Sequence, residues 1–428
     1  MSVLSAVPAG GAIPHASRKA ETSMSETDRV VTGGVDTHKQ FHVAAVCDQA
    51  GRILATSSFQ TTAAGYRALL RWMRSFGPVG RVGVEGTGAY GAGLNRFLTA
   101  SGVEAVEVNR PNRQARRRRG KNDTVDAEAA ARAALNGEAS VAPKSQDGIV
   151  ESVRVIRVAF CSARAHRTQV SNQMRDLILT APDQLRCDLE PMNAAQRVQR
   201  CVRFRPGELA DPLEGTRLAL RTLARRYQDL TTELDELRHH LDVLTNHANP
   251  ALRAAPGVGS DVASILLIAT GDNYERITSD AAFAALCGVS PIEASSGQTT
   301  RYRLNRGGNR QANHALWRIA MVRLSTDPRT QAYAARRRAE GKTTRDILRC
   351  LKRYIAREIY TLLLHPEITA APGPELKAQR LAAGLTQLEV ATALGTDQSR
   401  ISEIEHNRRP NQQLTIRYRT WLDSTCAA

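Results

Sequence analysis

The first part of the chain alternates short apolar runs with segments of helical periodicity. Runs rich in β-branched residues predict strands near residues 30–36, 41–47, 51–59, 81–85 and 103–108. Apolar spacings of three and four predict helices between them, at 62–76 and 92–101. Strands that alternate with helices predict an α/β layer structure with a largely parallel sheet.

The middle of the chain, at about 149–249, has a helical pattern. Apolar positions repeat there at spacings of three and four, like the seam of a coiled coil: Leu220, Leu223, Tyr227, Leu230, Leu234, Leu237, Leu241 and Leu244. The seam predicts a coiled-coil stalk or a dimerisation hairpin. The alternative is a long amphipathic helix that packs on its own domain. A second compact, mostly helical unit follows at 250–365.

The carboxyl-terminal part follows a Pro- and Ala-rich linker at 366–374. Its pattern predicts three short helices, at 375–383, 387–394 and 398–406. Gly395 can adopt a positive φ between the second and third helices, and Asp397 can cap the third. Four apolar residues supply a small core: Val390, Leu394, Ile401 and Ile404.

Residues 385–405 resemble the helix-turn-helix of Cro and repressor proteins. The resemblance implies a DNA-binding module at about 375–423, whose recognition helix directs four side chains to the DNA groove: Gln398, Ser399, Arg400 and Ser402. A helical module for protein contacts is the alternative.

Charge indicates the class of partner. The 428 residues include 59 Lys and Arg against 42 Asp and Glu, a net charge of +17. This excess favours a polyanion, most often nucleic acid, over an anionic membrane. Aromatic residues make up only 4% of the chain, which argues against reliance on many base-stacking platforms.

The compartment follows from the cysteines and the apolar runs. Seven scattered cysteines without a C-x-x-C pair favour free thiols in a reducing cytosol and give no zinc framework. No apolar run approaches the roughly 18 residues of a membrane-spanning helix. Residues 1–29 lack the pattern of a signal peptide and are interpreted as a disordered lead. We therefore expect a cytoplasmic protein with no membrane partner.

Four acidic residues form the candidate catalytic set. Asp36 and Glu85 end apolar strands, and the carboxyl ends of neighbouring strands share a crevice in α/β sheets. Asp123 and Asp126 lie three residues apart at the start of an Ala-rich helix, so they share one face. If all four converge, each like-charged pair at 4 Å costs about 4 kcal/mol unless divalent cations bind. Two cations held by oxygens suit attack at a phosphodiester.

Each acid also has an ordinary structural interpretation. Asp36 could cap a turn with Thr37, and Asp123 or Asp126 could cap the helix that follows. Glu85, before Gly86, could be an unremarkable residue at a strand end. The order of the set, two strand-end acids and then a D-x-x-D, is what favours the catalytic interpretation.

Three segments carry a resemblance to a known family. Gly34-Val-Asp36-Thr-His-Lys39, Val84-Glu-Gly-Thr-Gly88 and Lys121-Asn-Asp-Thr-Val-Asp-Ala127 resemble the D…E…D-x-x-D set of DEDD-type insertion-sequence transposases of the IS110 family. The first domain of that family resembles the RuvC resolvase, which implies an RNase H-like fold. The resemblance also implies that four carboxylates bind two Mg²⁺ ions, with Mn²⁺ as a substitute: Asp36, Glu85, Asp123 and Asp126. The adjacent His38 and Lys39 are given no catalytic role.

A strongly basic segment precedes the D-x-x-D. Residues 110–121 include seven basic side chains and no acid, which favours phosphate contacts over a solvated loop. The predicted contacts are Arg113, Arg116, Arg117, Arg118, Arg119 and Lys121.

The second compact unit contains two further candidate elements. Pro256–Gly259 predicts a tight turn into a helix, whose amides could hold a phosphate. From Gln298 to Arg338 there are ten arginines and one acid, Asp327, and Arg favours bidentate phosphate contacts. Ser295 and Ser296 come just before this stretch, where a Ser-Gly pair is by itself typical of a turn.

Residues 257–364 resemble the second domain of the same transposases, including the P-x-x-x-S-S-G and N-R-x-G-N elements. The resemblance implies a serine nucleophile that holds DNA as a phosphoserine. It maps to Ser296, although the adjacent Ser295 leaves the choice between the two open. Four arginines would then hold phosphates: Arg301, Arg303, Arg306 and Arg310. The family further implies a guide (bridge) RNA that pairs with donor and target DNA, and a dimer or tetramer.

These observations predict a four-part chain after the lead. The parts are a RuvC-like α/β domain at 30–148, a helical coiled-coil region at 149–249, a mostly helical transposase domain at 250–365 and an all-α helix-turn-helix tail. The predicted function is Mg²⁺-dependent cleavage and rejoining of DNA by a transposase. The alternatives are a RuvC-like structure-specific endonuclease that uses water, and a non-catalytic transcription regulator that acts through the tail.

Overall fold

The computed structural model describes residues 30–108, 122–299, 301–365, 373–406 and 412–426. The predicted lead at 1–29, the basic segment at 110–121 and most of the linker lie outside them. The chain forms two compact units, which divide between Pro143 and Lys144 and are described separately.

The first unit is built on a five-stranded sheet. Its strands are β1 Val31–Thr37, β2 Phe41–Cys47, β3 Ile53–Gln60, β4 Val79–Glu85 and β5 Glu104–Val108. They are arranged in the order β3-β2-β1-β4-β5. β1 pairs antiparallel with β2 and parallel with β4, so the sheet is mixed, and the expectation of a largely parallel sheet is wrong. The reason is the length of the first connections, because a link as short as 38–40 can only join antiparallel strands.

Helices cover both faces of this sheet. α1 Ala63–Arg74 and α2 Ala92–Ala100 pack on one face, and α3 Asp123–Leu135 packs on the other through its alanines. Glycines allow α3 to come very close. A Cβ added at Gly34 would lie 2.1 Å from the backbone nitrogen of Ala131. The position of α3 on the sheet is therefore fixed by backbone contact, which matters because α3 carries two of the candidate acids.

The second unit begins with a long helical hairpin. Its helices are α4 Ile149–Leu179, α5 Asp183–Leu189, α6 Ala194–Val202 and α7 Pro212–Ala248. α4 and α7 run antiparallel, because Phe160 and Leu234 belong to one apolar cluster and Met174 and Leu220 belong to another. The seam of α7 is therefore buried against helices of its own chain, with Leu220, Leu234 and Leu241 at most 1% exposed. The structure therefore agrees with the alternative interpretation of the seam, a long amphipathic helix that packs within its own domain.

The rest of the second unit surrounds a largely apolar helix. Its elements are α8 Pro250–Ala254, α9 Ser260–Thr270, a 3₁₀ turn Tyr274–Arg276, α10 Asp280–Leu286, β6 Ile292–Glu293, β7 Tyr302–Arg303, α11 Arg310–Thr326, α12 Pro328–Ala339 and α13 Thr344–Leu364. α9 is the centre, because most of its side chains are buried. Gly257 has φ +80°, as the predicted tight turn before this helix requires.

The carboxyl-terminal helices are α14 Gly373–Ala382, α15 Gln387–Leu394, α16 Gln398–Glu405 and α17 Gln412–Cys426. Gly395 has the left-handed conformation expected between α15 and α16, and the four predicted core residues are buried. Asp397 is the N-cap residue of α16, but its side chain makes no capping hydrogen bond. α17 was not predicted, and its Tyr418 is fully buried.

Two global expectations concern membranes and thiols. Among the described helices, none combines the length and the apolar character that crossing a bilayer demands. The six cysteines whose side chains are described are all free thiols.

Candidate functional site

Two of the predicted acids lie side by side at the edge of the sheet. β1 and β4 are parallel neighbours with Val35 opposite Val84, so the next residues along the strands are Asp36 and Glu85. Both are 8% exposed. The hydroxyl of Thr37 donates a hydrogen bond to the backbone oxygen of Glu85 over 2.8 Å, which ties the two strand ends together.

The other two acids lie in the first turn of α3. The N-cap residue of this helix is Asn122, whose side-chain oxygen accepts a hydrogen bond from Thr124 N over 3.1 Å. Neither Asp123 nor Asp126 is therefore the cap, and that alternative interpretation is wrong. Asp126 is only 7% exposed. Aspartates are seldom buried to this extent, and capping of the helix does not explain the burial of Asp126.

A histidine joins the strand-end acid to the helix acid. His38 Nε2 lies 3.2 Å from Asp36 Oδ2 and 3.3 Å from Asp123 Oδ2. One ligand atom from each of these three side chains lies within 4.8 Å of the other two. Asp126 is near enough for its carboxylate to act on Asp36 electrostatically. Glu85 is adjacent on the sheet but is not one of the three side chains in the tight group.

The surroundings of Asp36 disfavour its negative charge. Burial raises the pKa of the Asp36 carboxyl above its usual value; His38 lowers it, and Asp126 and Asp123 raise it further. The net shift is upward, so the environment disfavours the ionised form of Asp36. A divalent cation would reverse this, because it attracts each of the carboxylates that now repel one another.

His38 is the member of the cluster that the sequence did not single out. β1 ends at Thr37, yet His38 follows Asp36 by two residues, and alternate residues of an extended chain point to the same side. The motif Asp36-Thr-His38 was therefore the available signal.

The donor set fits a divalent cation. Carboxylate oxygens are the ligands that suit Mg²⁺ and Mn²⁺, and an imidazole nitrogen is a common ligand of transition metals. Asp36, Asp123 and His38 offer ligand atoms at distances that one ion can span. Asp126 and Glu85 are two further buried acids next to this group.

The two candidate serines occupy a short hairpin in the second unit. Ser296 and Thr299 exchange two backbone hydrogen bonds of 3.1 Å across a turn in which Gly297 has φ +56°. A glycine at that position is typical of a two-residue hairpin turn. Ser295 Oγ accepts a hydrogen bond from Arg301 N over 3.2 Å, whereas Ser296 Oγ makes none with the residues described. Both serines are exposed, so only Ser296 presents an unengaged hydroxyl to solvent.

The arginine-rich stretch divides into two groups. The four arginines nearest the serines are exposed and form no ion pair with a described carboxylate: Arg301, Arg303, Arg306 and Arg310. By contrast, Arg318 pairs with Asp261, and Arg323 pairs with Glu358 over 2.6 Å. The later arginines therefore include structural ones, while the earlier four are accessible to an anion. Asn309 caps α11 through hydrogen bonds from Gln311 N and Ala312 N.

The remaining predicted nucleic-acid contacts lie elsewhere. Arg113, Arg116–Arg119 and Lys121 fall outside the described residues. In the tail, Gln398, Ser399 and Arg400 are exposed on α16, and Ser402 is half-buried. Arg400 pairs with Glu403 over 3.0 Å, so a phosphate or base would have to compete with that carboxylate.

Comparison with family models matches three segments of the chain. A transposase model of the DEDD type from the IS110 group matches residues 33–181. A model described as the IS116/IS110/IS902 transposase family matches residues 249–335, and a helix-turn-helix model matches residues 376–416. The first match includes the acidic cluster, and the second includes the serine hairpin.

Three proteins of insertion elements are similar in sequence. The IS110 uncharacterized 43.6 kDa protein of Streptomyces coelicolor is 36% identical over 110 residues, 25% of this chain and 27% of that protein. The IS900 uncharacterized 42 kDa protein of Mycobacterium paratuberculosis is 27% identical over 163 residues, 35% of this chain and 39% of that protein. The putative transposase of the IS117 mini-circle of Streptomyces coelicolor is 24% identical over 372 residues, 74% of this chain and 90% of that protein. The chain thus spans less than half the length of the first two relatives.

Proposed function

Because the chain carries both transposase domains of the IS110 family and a helix-turn-helix domain, we propose that it cuts DNA strands at an insertion sequence and rejoins them to new partners. The observation that carries this proposal is the meeting of Asp36, His38 and Asp123 at the sheet edge. A non-catalytic regulator would have no use for buried acids that repel one another. In a metal-dependent phosphodiester enzyme, such acids would serve as ligands of the metal.

The proposed cofactor is Mg²⁺, with Mn²⁺ as a substitute. Asp36, Asp123 and Asp126 would hold the metal, with Glu85 beside them and His38 as a nitrogen donor or counter-charge. When bound, the metal would polarise the phosphodiester and stabilise the negative charge that develops on its oxygens. Without a metal, His38 lowers the pKa of Asp36 and so partly opposes the effect of burial.

The proposed nucleophile is Ser296. Its oxygen would form a bond to phosphorus, displace one strand end as the leaving group and keep the other end as a phosphoserine. The serine proton would leave to a base or water, and the departing DNA oxygen would take up a proton. Attack by a hydroxyl of the new partner strand would reverse these steps and free the serine. The free hydroxyl supports Ser296 over Ser295, whose oxygen is already bonded within the hairpin.

The exposed arginines would hold the DNA backbone during these steps. Arg301 and Arg303 follow the serine turn directly, and Arg306 and Arg310 continue the group. If six to ten phosphates are contacted in all, affinity should fall by about 10³–10⁵ between roughly 50 and 200 mM salt. An affinity that is indifferent to salt would contradict every nucleic-acid version of the function.

The choice of DNA sites would be delegated to a guide RNA from the element, and strand exchange between two duplexes would need at least two copies of the chain. The support for the RNA is the family relationship together with the net charge of +17. Purification of the protein with the transcribed flanks of its element, followed by sequencing of any bound RNA, tests this part. Recovery of random cellular RNA alone would contradict it.

Strand exchange tests the function itself. Full-length protein, DNA with the element ends, target DNA and any bound RNA are incubated with Mg²⁺ or with a chelator. We expect joined products only with the metal, none from Asp36→Asn, and normal yield from the control Glu138→Gln, an exposed acid of the same unit. Full activity in chelator would contradict the proposal. Cleavage without joining would indicate a nuclease that uses water.

A further inference from the structure

A pocket of about 410 Å³ in the second unit is lined in part by β7, one strand of the serine hairpin. Its walls are the segment after α10 (288–291), the segment that includes β7 (302–305), and one face of α13 at 349–354. The size is within the range of ligand sites in proteins. Of the residues that line the pocket, only Arg303 belongs to the proposed DNA-binding groups.

The apolar part of the pocket is exposed to an unusual extent. Tyr302, Leu304 and Tyr354 line it and are 64%, 54% and 55% exposed. The Tyr354 ring meets the ring of Tyr333 edge-on, with centroids 5.8 Å apart and planes at 84°. This contact holds Tyr354 in place while the rest of its ring remains available. Aromatic rings presented in this way are the usual platforms for unpaired bases.

The polar part of the pocket is cationic. Its lining includes Arg303, Arg349, Lys352 and Arg353, and no carboxylate belongs to the lining. Arg349 is paired with Asp346 and Arg353 with Asp280, whereas Arg303 and Lys352 have no described carboxylate partner. The lining therefore favours an anion.

Lys352 is the most informative of these cations. It is half-buried, and its ammonium donates to Asn313 Oδ1 over 2.9 Å. Asn313 is itself anchored, since its Nδ2 donates to the backbone oxygens of Cys287 and Gly288 over 2.9 and 3.1 Å. Burial lowers the pKa of Lys352, and Arg349 lowers it further. A bound anion would relieve both effects.

We propose that this pocket binds one unpaired nucleotide of the DNA strand, with its base against Tyr302 and Tyr354 and its phosphate toward Lys352 and Arg303. A nucleotide combines an apolar aromatic face with a negative charge, and the pocket offers the complement of both. An acidic peptide would satisfy the charge but would leave the aromatic platforms unused. The assignment to DNA rests on the proposed function.

The position of the pocket fits that function. Tyr302 lies opposite Glu293 in the hairpin, three residues before Ser296. At about 3.3 Å per residue the pocket is roughly 10 Å from the serine along the hairpin. A DNA strand held at Ser296 could therefore also place a nearby unpaired nucleotide in the pocket. Melting of the duplex at that point would expose the scissile strand.

Binding of short DNA probes to the full-length protein tests the pocket. The probes are a single-stranded DNA with one 2-aminopurine, the RNA of the same sequence, a blunt duplex and an acidic tyrosine-containing peptide. For Tyr354→Ala and Tyr302→Ala we expect about 5- to 150-fold weaker binding of the single strand and loss of the fluorescence quenching caused by stacking. Duplex binding should change less than about twofold. Tyr→Phe at either position should keep the quenching, which excludes misfolding as the cause.

Two further variants complete the test. Tyr90→Ala, an exposed tyrosine of the first unit, serves as the control and should bind like the wild type. Lys352→Met should reduce the salt slope of single-strand binding by about one. Wild-type binding by both tyrosine variants, equal losses for duplex and single strand, or effects confined to the RNA or the peptide would each overturn the proposal. Its failure is separate from that of the proposed function, because strand exchange by the wild type is scored independently.

Discussion

Two buried carboxylates in this protein have opposite environments. Glu405, in the tail, is 1% exposed and accepts hydrogen bonds from Arg380 (2.6 and 3.1 Å), Gln387 (2.7 Å) and Tyr418 (2.8 Å). Although burial acts to raise the pKa of Glu405, these partners lower it overall. Asp36, which is 8% exposed, has acidic neighbours and a raised pKa. The tail supplies its own cation, whereas the sheet edge has only a histidine.

This difference separates a structural acid from a functional one. A buried charge that is fully paired holds a fold together, and removal of one partner is costly. A cluster of like charges on a rigid scaffold destabilises the empty protein and is stable only with a bound cation. The close contact of α3 with Gly34 provides the rigidity, since α3 cannot move toward the sheet to rearrange Asp123.

Asp123→Asn should have the largest effect, on activity and not on folding. Loss of one ligand removes several kcal/mol of transition-state stabilisation, so strand cleavage should fall by about 10³-fold. The stability of the metal-free first unit should change little, because the weaker contact with His38 offsets the removal of one like-charge repulsion. Cleavage kinetics and thermal unfolding in chelator measure the two effects. A variant that unfolds while the cleavage of its folded fraction is normal would show that Asp123 is structural.

Glu405→Gln should have the opposite profile. It leaves Arg380 buried without its counter-charge, which should cost about 3–5 kcal/mol in the tail and leave metal binding by the first unit unchanged. Hydrogen exchange of residues 373–426 in the full-length protein measures this. Equal protection in the variant and the wild type would contradict the assignment.

The Arg380–Glu405 ion pair predicts that the stability of the tail depends on pH. Because the folded pKa of Glu405 lies below its value in the unfolded chain, about 4.3, its contribution is complete above that pH. The contribution is lost as the pH falls from there through the lower folded pKa. Exchange protection of the wild-type tail should therefore weaken with acid in that window, and Glu405→Gln should flatten the profile. If exchange protection falls equally with acid in both proteins, Glu405 is not the cause of the pH dependence.

Metal should stabilise the first unit by a smaller amount. At a free Mg²⁺ or Mn²⁺ concentration 100 times the dissociation constant, the gain is about 2.7 kcal/mol. Thermal unfolding with and without Mn²⁺ should show the shift in the wild type and in Glu138→Gln, but not in Asp36→Asn. An equal shift in Asp36→Asn would place the ion elsewhere.

The sequence indicated the acids because strand ends and helix starts are local features. Asp36 and Glu85 follow apolar runs, and the D-x-x-D begins an Ala-rich helix, so short patterns sufficed. His38 was given no role because it lies just beyond the strand, where only its spacing of two from Asp36 indicates that both side chains point the same way. The mixed sheet was missed because strand direction depends on connections and not on the strands themselves.

Long-range pairing explains the other differences. The heptad seam predicted an apolar partner correctly, but whether the partner belongs to the same chain depends on α4, some 60 residues earlier by its bounds. Counting arginines could not separate Arg323, which pairs with Glu358, from Arg303, which has no described acidic partner. The Arg380–Glu405 pair joins residues 25 apart, and no local pattern encodes it.

The most direct test of the account is to trap the protein on DNA. Full-length protein is incubated with element-end DNA and Mg²⁺, denatured in detergent and digested, and the attached nucleotide is located by mass spectrometry. We expect a metal-dependent phosphoserine at Ser296, lost in Ser296→Ala and in Asp36→Asn but retained in Ser295→Ala. An adduct at Ser295, an adduct that forms in chelator, or efficient joining with no adduct at all would contradict it.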